Sequence, residues 1–273
     1  MMGVEDKLTK TPAWFNPSPT EKEVAPAIRE VLEKYSGIPQ DDVLDHVVKI
    51  RDEAWKIHPY PCIGQFRFVE PSFKHLAKEF EEIVQRLHNG EKFLDMACCF
   101  AHAVRELVHA GAPAKNIYGC DLQSDFIELG YKLFQDRDRL PSKFITADIF
   151  DPSSALAEYQ GYFDIVHAAK FFHLWGYEEQ LVVSKAVVGL LRPKPGSMIV
   201  GSQIGATEPG NEESPTGLMY RHNVESFKEM WKLIGKELGI KFVVDAKLTE
   251  LSKSYFGFVS ERTRMIWFAI RRE

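Results

Sequence analysis

Asp95, Asp121 and Asp148 each close a short apolar run: Phe93-Leu94-Asp95, Ile117-Tyr118-Gly119-Cys120-Asp121, and Phe144 to Asp148. An open parallel sheet binds its ligand beyond the carboxyl ends of its strands, so acids in these places would face a ligand. A carboxylate offers two oxygens to a vicinal diol, and Asp121, one strand beyond the first loop, is placed to accept hydrogen bonds from ribose hydroxyls. In Ala147-Asp148-Ile149-Phe150 the acid can receive an adenine amino group while Ile149 and Phe150 flank the ring. Each acid taken singly reads as a turn or helix-cap residue. At three successive strand ends they read together as a nucleoside cradle.

Periodicity supplies the elements that would hold these acids. Thr20-Glu21-Lys22-Glu23 is a capping-box pattern, followed at helical spacing by Val24, Ile28, Val31 and Tyr35 up to Gly37. Before it, Pro12, Pro17 and Pro19 make the first residues an extended arm. A second helix is expected from about Asp41 to Ile57. Pro59 and Pro61 break the rhythm, and a third helix should start at Pro71, with Leu76, Phe80, Ile83, Val84 and Leu87 in register. After Asn89-Gly90 strands and helices alternate, with strands near 93–95, 117–121, 144–148, 163–168 and 197–204. Helices carry Val104 to Val108, Phe126 to Phe134 and Glu178 to Leu191. That order argues for a parallel α/β sheet covered on both faces. A helix over Val224 to Leu238 and two strands, Lys241 to Lys247 and Arg264 to Ile270, close the chain with an antiparallel pair.

The 273 residues, 45% hydrophobic and 27% charged, can bury a real core. A net charge of -5 without a basic stripe argues against nucleic acid as a partner. No apolar run reaches the roughly 20 residues of a membrane span, and the charged start Met1 to Lys10 has no apolar stretch behind it, so a cytoplasmic location is expected. Cys62, Cys98, Cys99 and Cys120 fit no zinc spacing and read as reduced thiols packed as small hydrophobes.

The element order, the acid triplet and the terminal antiparallel pair resemble a class I S-adenosylmethionine (SAM)-dependent methyltransferase over about residues 90 to 273. A closer likeness covers nearly the whole chain. Tyr60-Pro-Cys-Ile-Gly-Gln-Phe-Arg-Phe68, Asp95-Met-Ala-Cys-Cys-Phe100, Ala147-Asp-Ile-Phe-Asp151 and His222-Asn-Val-Glu-Ser-Phe-Lys-Glu-Met-Trp231 resemble fungal secondary-metabolite methyltransferases of meroterpenoid and polyketide pathways. The resemblance implies a Rossmann-like α/β sheet with a terminal antiparallel pair (90–273) and an N-terminal helical cover over the site (1–89). It also implies SAM as cofactor and a small, largely apolar acceptor methylated on a carboxylic acid or an enolic or phenolic hydroxyl. Cofactor contacts then fall on Asp95, Ala97, Asp121, Leu122, Asp148 and Ile149. Arg67, with Gln65 beside it, could clamp a carboxylate of the cofactor or of the substrate, against the plainer reading of Arg67 as a surface ion pair. Lys170-Phe171-Phe172-His173-Leu174-Trp175 would line the reaction centre, with Phe172 a substrate contact and His173 a general base, against a packed aromatic turn. His222 is either a substrate contact or a structural residue before its helix.

The departure is in the first loop, where the class has Asp-x-Gly-x-Gly-x-Gly and this chain has Asp95-x-Ala97-x-Cys99-x-Ala101. Glycine there permits positive φ and close backbone approach, so the chain is expected to bind SAM only with ordinary backbone angles at these positions. Two rivals follow: an enzyme on this fold that rearranges or cyclises its substrate without methyl transfer, and a pseudoenzyme. A dinucleotide oxidoreductase fits less well, because the three fingerprint glycines are missing.

Overall fold

The capping box at Thr20 forms as its sequence indicates: Thr20 N–H donates to Glu23 Oε2 at 2.6 Å and Lys22 N–H to Thr20 Oγ1 at 3.4 Å. In the computed structural model, which describes residues 12, 14–214, 217–251 and 260–273, this turn leads into helix α1 (Pro26–Glu30). The charged start of the chain, Met1 to Lys10, lies outside the described residues. A wider helical turn continues to Tyr35, and the chain reverses at Gly37, whose φ of 75° suits glycine. Helix α2 (Val43–Ile57) buries Val43, Val47, Ile50 and Ala54 along one stripe. A short helix α3 (Pro61–Gly64) and a 3-10 turn Arg67–Val69 follow. Helix α4 spans Ala77–His88, six residues later than Pro71 suggested. Pro71 starts a turn, closed by Leu76 N–H on the Phe73 carbonyl, and not a helix.

The alternating half then runs β1 (Phe93–Met96), α5 (His102–His109), β2 (Ile117–Asp121), α6 (Ser124–Phe134), β3 (Lys143–Thr146), β4 (Ile165–Ala169), α7 (Tyr177–Leu190) and β5 (Met198–Ala206). A hairpin of β6 (Gly210–Ser214) and β7 (Gly217–Arg221) precedes α8 (Val224–Leu238), β8 (Phe242–Thr249) and β9 (Thr263–Arg272). Asn223 caps α8 by accepting from Ser226 N–H at 2.8 Å, and Phe227, Met230, Trp231 and Ile234 bury its inner face. The hairpin is not expected from the sequence, because its first strand, Gly-Asn-Glu-Glu-Ser, is polar throughout and its second, Gly-Leu-Met-Tyr-Arg, is short and does not alternate.

The sheet order is β3-β2-β1-β4-β5-β9-β8, with β1 to β5 parallel and β9 antiparallel between β5 and β8. The chain steps outward from β1 to β3 and returns to β4 beside β1, which puts the switch point, and so the ligand crevice, at the ends of β1 and β4. One face packs on α7 and α8 through residues such as Leu94, Val183, Trp231 and Phe268. The other packs on α4 and α5 through Phe93, Ile83, Leu87 and Leu107. The helices before α4 form a third cluster with Phe100 and with Phe126, Leu129 and Phe134 of α6. A buried ion pair pins them down. Arg105 donates to both carboxylate oxygens of Asp136 at 2.9 Å, and Tyr35 O–H donates to Asp136 Oδ2 at 2.8 Å. Among the described residues no helix is long and apolar enough to cross a membrane.

Candidate active site

The loop after β1 decides whether a ligand can approach. Ala97, Cys99 and Ala101 adopt φ values of 54°, 51° and 52°. All three sit in the left-handed region, so the expectation of ordinary angles is wrong: the chain keeps the backbone path that glycine favours and bears the strain of a Cβ at each position. Three backbone bonds hold that path, Cys98 N–H to the Cys120 carbonyl at 2.9 Å, Cys99 N–H to Asp121 Oδ2 at 2.8 Å, and Ala101 N–H to the Cys98 carbonyl at 2.6 Å. Helix α6 presses against the loop at Gly130, where an added Cβ would lie 2.5 Å from the Phe100 carbonyl oxygen. The four cysteines are unpaired, and burial pushes the thiols of Cys98 and Cys99 well above their ordinary value and that of Cys120 up to about 12. They pack as inert small side chains.

Asp121 stands at the end of β2 with each oxygen taking one backbone donor, Cys99 N–H on Oδ2 and Gln123 N–H at 2.9 Å on Oδ1. A carboxylate has about four acceptor sites, so a diol can still be bound. Burial raises its pKa, against the pull of those donors. Leu122 beside it is 57% exposed, a large apolar side chain left facing outward. Asp148 lies two residues past the end of β3 and is exposed, its Oδ1 accepting from Phe150 N–H at 2.9 Å. Ile149 is half-buried, and the Phe150 ring meets Trp175 edge-on at 5.1 Å. The ends of β2 and β3 thus form an open shelf with acids and apolar surface side by side.

A cavity of about 180 Å³ opens beside this shelf, between the β1 and β4 ends and the segment 62–75. Asp95 and Ala97 line it, with Cys98, Cys99, His102, His167 and Lys170 from the core, and Cys62, Arg67, Phe68, Glu70 and Ser72 from the helical segment. Thr249, Leu251, Met265 and Trp267 close its far wall. Asp95 is 4% exposed, and its Oδ1 receives His167 Nδ1 at 2.7 Å. Desolvation lowers the His102 pKa to about 3, with the Lys170 charge adding to the effect, so that imidazole is neutral. Lys170 takes a φ of 54° and donates its N–H to the Ser202 carbonyl at 2.5 Å, which turns the chain sharply at the end of β4.

Arg67 reaches this cavity, 5% exposed and so not the surface pair the sequence allowed. Its guanidinium donates to Glu70 Oε1 at 2.5 Å and to Gln65 Oε1 at 3.1 Å, and Glu70 also faces Lys170 Nζ at 3.6 Å. Gln65 therefore positions Arg67 and does not line the cavity itself. Three expectations fail on burial. Phe172 is fully buried, its ring against Trp231 at 5.9 Å and Phe268 at 6.0 Å, so it is core and not a substrate contact. His173 is 8% exposed, lies outside the cavity lining, and is held well below its ordinary pKa by desolvation, so it is a poor base. His222 is fully buried with Nδ1 at 2.9 Å from Ser226 Oγ, a structural residue at the cap of α8. Lys170, the first residue of the segment expected to line the reaction centre, does line the cavity, while nothing in the sequence signals His102, Glu70 and above all His167. A histidine in the middle of the apolar run Phe163 to Ala169 looks like core until β1 and β4 are known to be neighbours.

Two family models match the chain, a meroterpenoid methyltransferase N-terminal domain over residues 14–69 and a methyltransferase domain over residues 94–199. The O-methyltransferase phiE of a fungal species is 37% identical over 96% of this chain and 93% of its own length. The O-methyltransferase atr3 of Stereocaulon alpinum is 38% identical over 97% and 78%. The asnovolin E/chermesin D methyltransferase nvfJ of Aspergillus novofumigatus is 39% identical over 87% and 86%. Among solved structures, the Burkholderia thailandensis 1,6-didemethyltoxoflavin-N1-methyltransferase aligns over 94% of this chain and 92% of its own, with a TM-score of 0.51 and 13% identity. The [4+2]-cyclase SpnF aligns over 91% and 97% with a TM-score of 0.52 and 13% identity. These two speak for the fold alone. The full-length sequence relatives carry the stronger conclusion, and they agree with a first loop that follows a glycine path beneath a matching N-terminal segment: the chain belongs to the class I SAM-dependent methyltransferases of fungal secondary metabolism.

Proposed function

We propose that this methyltransferase transfers the SAM methyl group to an oxygen of a small, largely apolar secondary metabolite, a carboxylic acid or an enolic or phenolic hydroxyl, in the cytoplasm. The observation that carries the reading is the cavity beside Asp95 and Ala97, which joins an exposed nucleoside shelf to a lining of Phe68, Leu251, Met265 and Trp267. The names of phiE and atr3 as O-methyltransferases support oxygen as the atom methylated. The unpaired thiols support a reducing compartment.

The cofactor, when bound, supplies a methyl already activated by a sulfonium. The residues fit it: the first loop keeps its close approach, and Asp121 retains acceptor sites for a diol. In this assignment Asp121 and Leu122 meet the ribose, and Asp148 and Ile149 the adenine. Asp95, Ala97 and Arg67 stand at the methionine end. Residues 1–89 act as a cover, in which Phe68 and Ser72 wall off the cavity and α4 anchors the segment to the sheet. Their role is to orient the acceptor and exclude water, which accounts for most of the help a preactivated methyl needs.

Incubation with methyl-labelled SAM and an extract of candidate metabolites tests the proposal. A labelled product formed in equal amount with S-adenosylhomocysteine is expected. SAM binding with a transformed product and no S-adenosylhomocysteine would replace methyl transfer with rearrangement.

A further inference from the structure

We propose that His167, aligned by Asp95, is the catalytic base that removes the proton from a hydroxyl acceptor. This rests on the O-methyltransferase reading above. Asp95 and His167 are register partners on adjacent strands, both two residues in from Phe93 and Ile165, so their side chains leave the same face of the sheet. A carboxylate can only accept, so the 2.7 Å contact to Asp95 Oδ1 places the proton on His167 Nδ1. Nε2 is thereby left as an acceptor. It is buried and has no hydrogen-bond partner among the described residues, while the residue lines the cavity. The ring is fixed in its plane by Phe73 at 4.8 Å and Phe93 at 6.1 Å.

A buried imidazole acceptor without a partner is costly unless a ligand supplies a donor. An acceptor hydroxyl is such a donor. In the reaction the acceptor O–H bond breaks and its proton passes to Nε2. The oxygen lone pair forms the new O–CH3 bond, and the S–C bonding pair stays on sulfur as S-adenosylhomocysteine leaves. Asp95 stabilises the imidazolium that results, as an orienting carboxylate does in other acid–histidine pairs. His102 lines the same cavity with its own unpartnered Nδ1 and is held neutral, so it adds no charge to those of Lys170 and Arg67 in that lining.

The test uses the full chain, labelled with nitrogen-15 at histidine and saturated with S-adenosylhomocysteine. The expected spectrum shows His167 protonated at Nδ1 alone, and added 4-nitrophenol, a hydroxyl probe, shifts its Nε2 signal. An Nε2–H tautomer, or a signal that 4-nitrophenol leaves in place, overturns the proposal. His167→Asn should keep S-adenosylhomocysteine affinity within about threefold while kcat on a hydroxyl acceptor from the labelled-methyl experiment falls roughly 10²–10⁴-fold, the range of general-base catalysis. Unchanged kcat, or lost affinity in a variant that still unfolds cooperatively, also overturns it. If that variant does not fold, the spectra of the parent decide. Absence of S-adenosylhomocysteine binding by the parent would instead defeat the methyltransferase reading.

Discussion

Replacing Ala97 with glycine should stabilise this protein, although alanine-to-glycine changes usually do the reverse. Ala97 sits at φ 54°, where a Cβ costs about 1–2 kcal/mol. Glycine removes that cost but adds about 0.4–1 kcal/mol of unfolded-state entropy. The balance is a gain of up to about 1.5 kcal/mol, or at most about 3–6 °C in Tm at the roughly 2–4 °C per kcal/mol seen for chains of this size. Ala101, at φ 52°, is fully buried, so Ala101→Gly also loses a packed methyl worth about 0.8 kcal/mol and should come out near neutral. Ala97→Val carries the opposite sign, because a β-branched side chain is a genuine outlier at this φ. Calorimetry of the three variants checks the order Ala97→Gly above parent, Ala101→Gly near parent, and Ala97→Val below. SAM affinity of Ala97→Gly should stay within about tenfold, since the loop's backbone bonds are unchanged. A fall of more than about 2 °C for Ala97→Gly would mean that the Ala97 side chain puts no strain on the loop.

Asp121→Ala should weaken SAM binding by about 1.5–3 kcal/mol, roughly 10- to 100-fold, read by titration calorimetry; unchanged affinity removes Asp121 from the site. Asp136→Ala leaves Arg105 buried without its carboxylate and should cost about 3–5 kcal/mol in urea unfolding, whereas Tyr35→Phe, which removes one donor, should cost about 1–3 kcal/mol. Equal effects would show that Tyr35 and not the ion pair anchors the cover. Glu106 is pushed by burial from 4.5 to about 7, against the Ser72 N–H that donates to it at 2.9 Å. A raised carboxyl pKa adds stability that is complete below pH 4.5 and is lost as pH climbs through about 7. Glu106→Gln should therefore gain on the parent between those limits and run parallel above them, and a difference in Tm that is flat across that window would contradict the shift.

The strand and helix order was legible because each element has its own period and punctuation. Helix α8 lies over Val224–Leu238 as its sequence indicates, with Asn223 capping one end and Gly239 turning the other. The start of α4 was not legible. Proline is tolerated in a helix's first turn but does not require a helix, and here Pro71 begins the turn that brings Ser72 and Phe73 over the sheet. The acids at the strand ends were legible because topology alone places them. The sign of the first loop was not: small residues at glycine positions are compatible with either φ, and only the packing of α6 on Phe100 and the bonds to Cys120 and Asp121 select the left-handed path. Phe172, His173 and His222 were misread for one reason. Their polarity or aromaticity was visible, but burial depends on the residues that pack from α7, α8 and β9.

The residues before α4 are tied to α5, the end of α6 and the end of β4 by polar contacts. Glu70 binds Arg67 on its own side and faces Lys170 at the strained end of β4, while Ser72 N–H holds Glu106 of α5. Tyr35 completes the buried Arg105–Asp136 pair between α5 and the end of α6, so the helix that follows the first loop is held at two adjacent residues near its middle, Arg105 and Glu106, by residues that precede α4. The left-handed angles at Ala97, Cys99 and Ala101 are costly in isolation and persist because the surroundings over-determine them. With residues 1–89 in the covering role proposed above, a change that loosens their contacts to α5, such as Tyr35→Phe, is expected to weaken cofactor binding as well, read by titration calorimetry.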